Sequence, residues 1–353
     1  RLVGSEMCIR DRDKAYYNKN FTMPASANTI VMDSALFRTD LYFNDYRIKD
    51  GSTFKSFSVS QNGQTVSKDN LITNRELTVI DGGIAKASVF LPTNDNRTTI
   101  NAVVDGIPGY WIARNKSIIG DVNTVQMEFQ NNCEHTYDED GFCTKCQDPQ
   151  PANKVGDIYE IGNKGQLFWF ALPVNYGNNE IKGKLLNDID MSSVTDFKGI
   201  GIDASPFKGE FDGNGHNIKI NFNATFEYTA LFKIVSDNAV IKNLSVSGTI
   251  TSALKFASGL VGRANSNVTI EKCISKVDLI HTDNLRDLTW GGLIGVSTGN
   301  TTIKNCAYRG TMTASSDNGL ASIGGLVGWN SNTLNIDSSY VAANYNAQKI
   351  TGD

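Results

Sequence analysis

An internal repeat is what most limits the folds open to this chain. The string GLVG at residues 259–262 returns as GLIG at 292–295 and as GLVG at 325–328, each time after 33 residues. A degenerate copy, ALFK at 230–233, precedes the first by 29. A second element keeps the same steps: Ile241, Ile270, Ile303 and Ile336 are separated by 29, 33 and 33 residues. Two elements holding one period mark a true repeat, and periods of about 20–50 residues belong to solenoids, propellers and arrays.

The content of the repeat points to strands. Counting from each Ile, the third position reads Leu244, Cys273, Cys306, Ser339 and the fifth Val246, Ser275, Tyr308, Val341. The ninth reads Ile250, Leu279, Met312, Tyr345. Alternation beyond position three suits a strand with one buried face. The short polar gap after each Ile, as in Lys242-Asn243 and Lys304-Asn305, suits a corner. A unit of short strands and turns at this period predicts one coil of a β-solenoid, stacked on the next at roughly 4.8 Å. The residue after each Ile reads Lys242, Glu271, Lys304, Asp337, a solvated face of alternating sign rather than an active site. The glycines of GLxG serve close backbone packing or a positive φ at a bend, with Leu260, Leu293 and Leu326 inside. The element is no phosphate loop, since no Lys-Ser/Thr follows it.

On these residues the chain resembles the GLUG-motif repeats of bacterial surface proteins. The strings YEIGNKGQLFWFALPVNYGNN (159–179), LLNDIDMS (185–192) and FKGEFDGNGHNI (207–218) are similar to the usual entry into such β-helices. The resemblance covers residues 155–353. It implies a right-handed parallel β-helix in a secreted or surface-anchored, adhesin-like protein. Within the entry, GQLFWFA at 165–171 is expected to be a short helix capping the solenoid, and Asp212-Gly213 and Asn214-Gly215 are tight-turn pairs. His216 is then a partly buried ladder residue, and a catalytic Asp212–His216 pair is not needed to explain the string.

A second constellation lies upstream. CEHTYDEDGFCTKC places Cys133, His135, Cys143 and Cys146 within fourteen residues. Cys-x-x-Cys can present two thiolates from one knuckle, and Cys133 with His135 can complete a closed Cys₃His shell suited to structural Zn²⁺. A Cys143–Cys146 disulfide or redox pair, with Cys133 free, is the competing reading. The string resembles short zinc-ribbon-like insertions of gut-bacterial surface proteins, written His-Thr-aromatic, an acidic-Gly turn, then Cys-x-x-Cys. Cys273 and Cys306 share one ladder position and are expected to be reduced core residues.

The rest of the layout follows from composition and turn signals. Residues 1–12, RLVGSEMCIRDR, resemble sequencing-adaptor read-through and are set aside, Cys8 included. Residues 13–130 are expected to be a β-rich domain, a small sandwich or a sheet. Its strand-like runs lie at 29–32, 53–59, 77–80, 87–91 and 124–129, and Asn62-Gly63 marks a hairpin. The run at 79–92 is a second hairpin or a solenoid corner. Residues 13–35, with FTMPAS at 21–26, are expected to close an upstream β-repeat module. Tyr110 and Trp111 are either buried aromatics or loop side chains. The zinc-ribbon-like segment takes residues 131–148, a polar Pro-containing linker 149–156, and the β-helix 157–353, where QKITGD stops inside a further repeat, as expected of a fragment of a longer protein.

Thirty-three basic against 37 acidic side chains give a net charge of −4, which argues against nucleic acid as a partner. No window approaches the roughly 18 consecutive apolar residues of a membrane span. Together with the repeat, the resemblance implies an extracellular or cell-surface scaffold, adhesin-like, binding a glycan or a host or bacterial surface protein, and not an enzyme. The alternative is a β-helix polysaccharide lyase or glycoside hydrolase, which would need paired carboxylates or an acidic Ca²⁺ cluster beside a basic residue. A peptidase motif such as HExxH is missing, so the catalytic domain of a protease parent would lie outside these residues.

Overall fold

A computed structural model describes residues 14–15, 36–66, 76–81, 84–119, 122–131, 133–282, 288–314, 320–321, 323–346 and 350–351. The expectations for residues 1–12, for the FTMPAS module end and for a strand at 29–32 lie outside the described residues. The chain parts into two compact units, residues 1–133 and 134–353. None of the described helices is long and apolar enough to cross a membrane.

The first unit is β throughout its described residues. Its strands pair in the order Gln64–Thr65, Phe54–Gln61, Asn94–Val104, Tyr110–Ile118, Val122–Gln130, Leu36–Asn44, Ile84–Pro92, Thr78–Asp81. Leu36–Asn44 and Val122–Gln130 run parallel, whereas the other neighbours in this order run antiparallel. Phe43 and Phe54 stand on strands separated by three others, which a flat sheet at about 4.8 Å per strand would hold about 19 Å apart. Their ring centroids are 5.7 Å apart, and Phe43 also meets Trp111 at 5.8 Å. The order therefore folds over on itself around one core containing Leu41, Phe43, Val59, Leu91, Ile100 and Trp111. That resolves two alternatives: the unit is sandwich-like, and Trp111 is buried. The turn at Asn62 (φ 52°) and Gly63 (φ 79°) joins a true hairpin, and 79–92 is a hairpin too.

The second unit is a β-solenoid of about five turns. One face stacks Ile158–Ile161, Lys182–Leu185, Glu210–Asp212, Ala239–Lys242, Val268–Glu271, Thr301–Lys304 and Leu334–Asp337 in parallel. A second stacks Ile189–Asp190, Asn217–Asn223, Ser245–Ser252, Ile274–His281, Ala307–Tyr308 and Tyr340–Val341. The third carries the GLxG strands, with Phe232, Val261, Ile294 and Val327 in register. Every rung expected from the repeat is found: Ile241, Ile270, Ile303 and Ile336 pair in succession, as do Ile250, Leu279, Met312 and Tyr345. Between the first two faces the chain turns through a left-handed residue in four successive coils, at Asn243 (φ 52°), Lys272 (φ 51°), Asn305 (φ 54°) and Ser338 (φ 47°). One such residue is affordable for Asn, whose short polar side chain tolerates the conformation.

The GLxG glycines act through close approach, not through positive φ. A Cβ on Gly259 would meet Ser275 Oγ, one on Gly292 would fall on the Tyr308 ring and Gly325 O, and one on Gly325 would meet Val341. The first glycine of each copy thus makes room for the fifth-position side chain of the following strand. Tyr308 fills that room with its ring buried and its hydroxyl donating to Val277 O at 3.2 Å, and burial pushes the phenol pKa up. Cys273 and Cys306 stack inside as expected, each Sγ donating to a backbone carbonyl, and burial pushes the Cys273 thiol up.

The helix comes slightly early and longer than expected, at Lys164–Asn175, with Asn163 Oδ1 accepting from Gln166 N–H as N-cap. It lies inside the first turn, between two strands of the first face. Phe170 packs on Phe211 and Phe207 at 5.6 and 6.3 Å, and both of those rings pack on Phe232. The open edge is instead covered by Asn153–Val155, antiparallel to Ile158–Ile161 and exposed along its length. Residues 149–156 are thus no linker. Phe142 bridges to Pro149, Gln150 N–H donates to Gly141 O, and Gln150 Oε1 accepts from Asn163 Nδ2. Composition had registered only missing apolar side chains, which backbone pairing does not require.

The charge ladder, half-buried in its earlier strands and exposed at Lys304 and Asp337, is longer than the repeat had indicated. Glu160, Lys184, Asp212, Lys242, Glu271, Lys304 and Asp337 occupy one register position in successive strands, alternating in sign at every step. Placing three lysines in a row by Glu271→Lys is expected to lower stability by about 1 kcal/mol. Thermal melts should show most of that loss recovered in 0.5 M salt. A steric test uses Gly292→Ala against Gly162→Ala, whose new Cβ meets nothing closer than 3.5 Å. The first is expected to cost about 1–3 kcal/mol or more in denaturant titration, the second well under that.

Candidate metal centre

The site is built on a hairpin too short to hold itself together by apolar burial. Residues 136–138 turn back on 142–144: Asp138 N–H donates to Phe142 O, Thr144 N–H donates to Thr136 O, and Tyr137 bridges Cys143. Gly141 (φ 83°) closes the turn, and Asp138 Oδ1 accepts from Phe142 N–H. This geometry places His135 and Cys133 before the first arm and Cys143 and Cys146 on the second.

Cys133, His135, Cys143 and Cys146 do converge. One ligand atom from each lies within 4.8 Å of all the others, and His135 Nδ1 is 3.4 Å from Cys146 Sγ. For metal–sulfur bonds of about 2.3 Å a tetrahedral edge is about 3.7 Å, so a small contraction closes the shell. The four residues could hold a metal ion. Burial by itself would push the Cys143 thiol up, but the backbone N–H groups of Lys145 and Cys146 and the His135 side chain outweigh it and hold the pKa down to about 5. A knuckle whose amides point at a sulfur stabilises the thiolate, the form that ligates. Cys143 and Cys146 are buried, Cys133 is half-buried, and the His135 ring stacks on Tyr137 with centroids 5.6 Å apart. Neither cysteine of the knuckle is in a disulfide.

The hairpin sits directly on the N-terminus of the solenoid helix. Gly165 N–H donates to Asp140 O at 2.8 Å, Lys164 Nζ pairs with Asp140 Oδ2 at 2.9 Å, and the Phe142 and Phe168 rings meet edge-on at 6.0 Å. A Cβ on Gly165 would overlap Gly141 O, and one on Gly141 would overlap the Asn163 side chain. Two glycines 24 residues apart therefore create this contact. Nothing in a single sequence marks them as partners, and the short helix after the hairpin was the one available signal.

The other residues considered from the sequence have structural employment. Asp212 Oδ1 accepts from Asn214 N–H and Asn243 Nδ2, which holds the turn at Asn214 (φ 52°) and Gly215 (φ 84°). His216 Nδ1 faces Asp188 Oδ1 at 3.1 Å, and Asn217 N–H donates to the same oxygen. Asp212 and His216 are thus engaged with different partners.

No family model matches the chain, and neither does any curated protein. Among solved structures it is similar to a putative immunoglobulin A1 protease from Bacteroides ovatus, at 20% identity over 61% of this chain and 74% of that one, with a TM-score of 0.40.

Purified under reducing, chelator-free conditions, the chain is expected to carry one metal equivalent by elemental analysis. Cys143→Ser should reduce this at least tenfold, whereas Cys306→Ser should leave it unchanged. Retention of the full equivalent by Cys143→Ser would remove the knuckle from the shell.

Proposed function

We propose that this chain belongs to a secreted or surface-anchored bacterial protein in which a GLUG-type β-helix serves as a stiff scaffold for binding or displaying glycan or protein partners. The role is adhesin-like and non-catalytic. The supporting observation is the regularity of the outward faces. On the strands Ala239–Lys242, Val268–Glu271, Thr301–Lys304 and Leu334–Asp337 of the first face charges come singly and alternate from coil to coil, so no pair of carboxylates is set apart on those four strands for acid–base work. Beside it runs an amide ladder, with Asn300 Nδ2 donating to Asn267 Oδ1 at 3.1 Å and Asn267 Nδ2 to Asn238 Oδ1 at 3.3 Å. A stacked repeat of this kind offers an extended surface to an extended partner.

In this reading the Cys₃His cluster holds Zn²⁺ with no open position, as a structural centre. Its chemistry is that of a staple for a hairpin that lacks a core of its own. Three thiolates and one imidazole are the donors that such a closed zinc site prefers.

The test is affinity electrophoresis of the full chain through gels cast with plant and host polysaccharides, followed by polymer staining. Retarded migration with the polymer intact is expected. Clearing of the polymer would replace this reading with that of a β-helix lyase or glycoside hydrolase. Unretarded migration in every gel would turn the search to protein partners.

A further inference from the structure

The second face of the solenoid is chemically unlike the charged one. On the strand Asn217–Asn223 the outward positions include Asn221 and Asn223, which pair with Thr249 and Thr251 of the following coil. Thr249 and Thr251 pair in turn with Asp278 and Ile280, and the second of these rows continues through Thr313 to Asn346. From Asn221 to Thr313 these residues alternate with buried neighbours, so their side chains stand toward solvent. Of the residues named here Asp278 alone is charged, and its Oδ1 accepts from Thr311 N–H at 2.9 Å. The others repeat uncharged amide, hydroxyl and alkyl groups at about 4.8 Å per coil.

The two rows begin at a cavity of about 150 Å³, which Asn221 and Asn223 line together with Phe197, Phe222 and Phe226. Phe197 and Phe222 are buried, with centroids 6.1 Å apart, and form an apolar floor. Phe226 is 49% exposed and stands on a turn that Thr229 Oγ1 braces by donating to Phe226 O at 2.8 Å. Beneath this turn the repeat is broken. Where later coils place Gly262, Gly295 and Gly328, the copy at 230–233 has Lys233, since Phe232 pairs with Val261. Lys233 is only 6% exposed and its ammonium lies 5.5 Å from the Phe226 centroid, so a cation–π contact holds the ring from inside. Lys198, also in the lining, donates from Nζ to Thr195 O at 2.6 Å. Both ammonium groups are thus engaged within the protein. What the cavity offers a ligand is an aromatic face and amides.

We propose that this cavity holds an uncharged pyranose of a neutral polysaccharide, whose chain runs on along the row Asn223, Thr251, Ile280 and Thr313. The inference rests on the glycan-binding reading above and gives that reading a face, a direction and a ligand class. The exposed side of the Phe226 ring is a platform for the apolar face of a sugar, and the Asn221 and Asn223 amides match its hydroxyls. The volume is below the roughly 300–1,000 Å³ of sites for drug-sized ligands, in keeping with a single sugar ring. Along the row a neutral chain exchanges hydrogen bonds without stripping water from ions, which the charged face would require of it. An acidic chain finds the cations of the cavity already engaged.

The experiment compares the full chain with its Phe226→Ala, Asn223→Ala and Thr251→Lys variants in gels of galactomannan, xyloglucan and polygalacturonate, each referred to its mobility in a polymer-free gel. The three side chains reach solvent, and melting curves confirm that the variants fold. Glu271→Gln, on the charged face, is the control. Expected is retardation by at least one neutral polymer and not by polygalacturonate, weakened about tenfold in apparent affinity by each of the three substitutions and unchanged in the control. Undiminished retardation of the Phe226 and Asn223 variants would overturn the site while leaving glycan binding intact. Undiminished retardation of Thr251→Lys alone would overturn the course of the chain along the row. Retardation by polygalacturonate and by neither neutral polymer would overturn the neutral class. No retardation by these polymers, in a chain that other polysaccharides do retard, would overturn the inference alone. No retardation in any gel would remove the glycan reading with it.

Discussion

The solenoid depends on backbone meeting backbone at strand spacing, coil after coil, with no slack. In a sandwich, side chains from two faces interdigitate and small errors are absorbed by repacking. Here each coil hydrogen-bonds to the next through short parallel strands, and the intervening bends bring main chain against main chain. Gly259, Gly292 and Gly325 show what this demands, since a single added carbon would strike a side chain or a carbonyl of a neighbouring segment. Close packing of this order makes the interior sensitive to one methyl group. The aromatic residues then fill what the glycines leave: Tyr308 over Gly292, and the run of Phe170, Phe211 and Phe232 up the first turns.

The helix and the shortest coils lie early in the stack, and there the chain acquires features a pure repeat could not carry. The helix Lys164–Asn175 replaces part of the first turn and presents its N-terminus to the Cys/His hairpin. The next coils are shorter than their successors, and one of them buries Lys233 in place of glycine. The regular coils that follow are chemically uniform on their exposed charged face. Scaffold and specialisation are thus separated along the axis of one stack.

How much of this could be read beforehand varied with the physical origin of each signal. Rungs from Ile241 onward were legible because two elements keep the same steps and every strand contributes the same alternation. The earlier rungs, Glu160, Lys184 and Asp212, belong to the same charge ladder but stand at unequal intervals, since the helix and two loops intervene. Pattern matching at one period passes over them. The four Cys/His residues of the candidate metal centre were legible because ligation requires particular side chains, whatever the backbone does. Their docking on the helix was not, because it is made by the absence of side chains at Gly141 and Gly165. In the first unit the strands Leu36–Asn44, Asn94–Val104 and Tyr110–Ile118 escaped notice for a related reason. Asp40 is buried in the first of them by virtue of Lys86, Ser88 and Arg38, partners that local sequence does not reveal.

The alternating charges also say something about how such a stack can change its length. Removing one coil from the middle, for example the one bearing Glu271, would set Lys242 directly against Lys304. Removing two neighbouring coils would set Lys242 against Asp337, and the alternation would survive. The ladder therefore has a parity. Duplications and losses that move by an even number of coils leave its electrostatics intact, while odd steps introduce one like-charged contact that further substitution must repair.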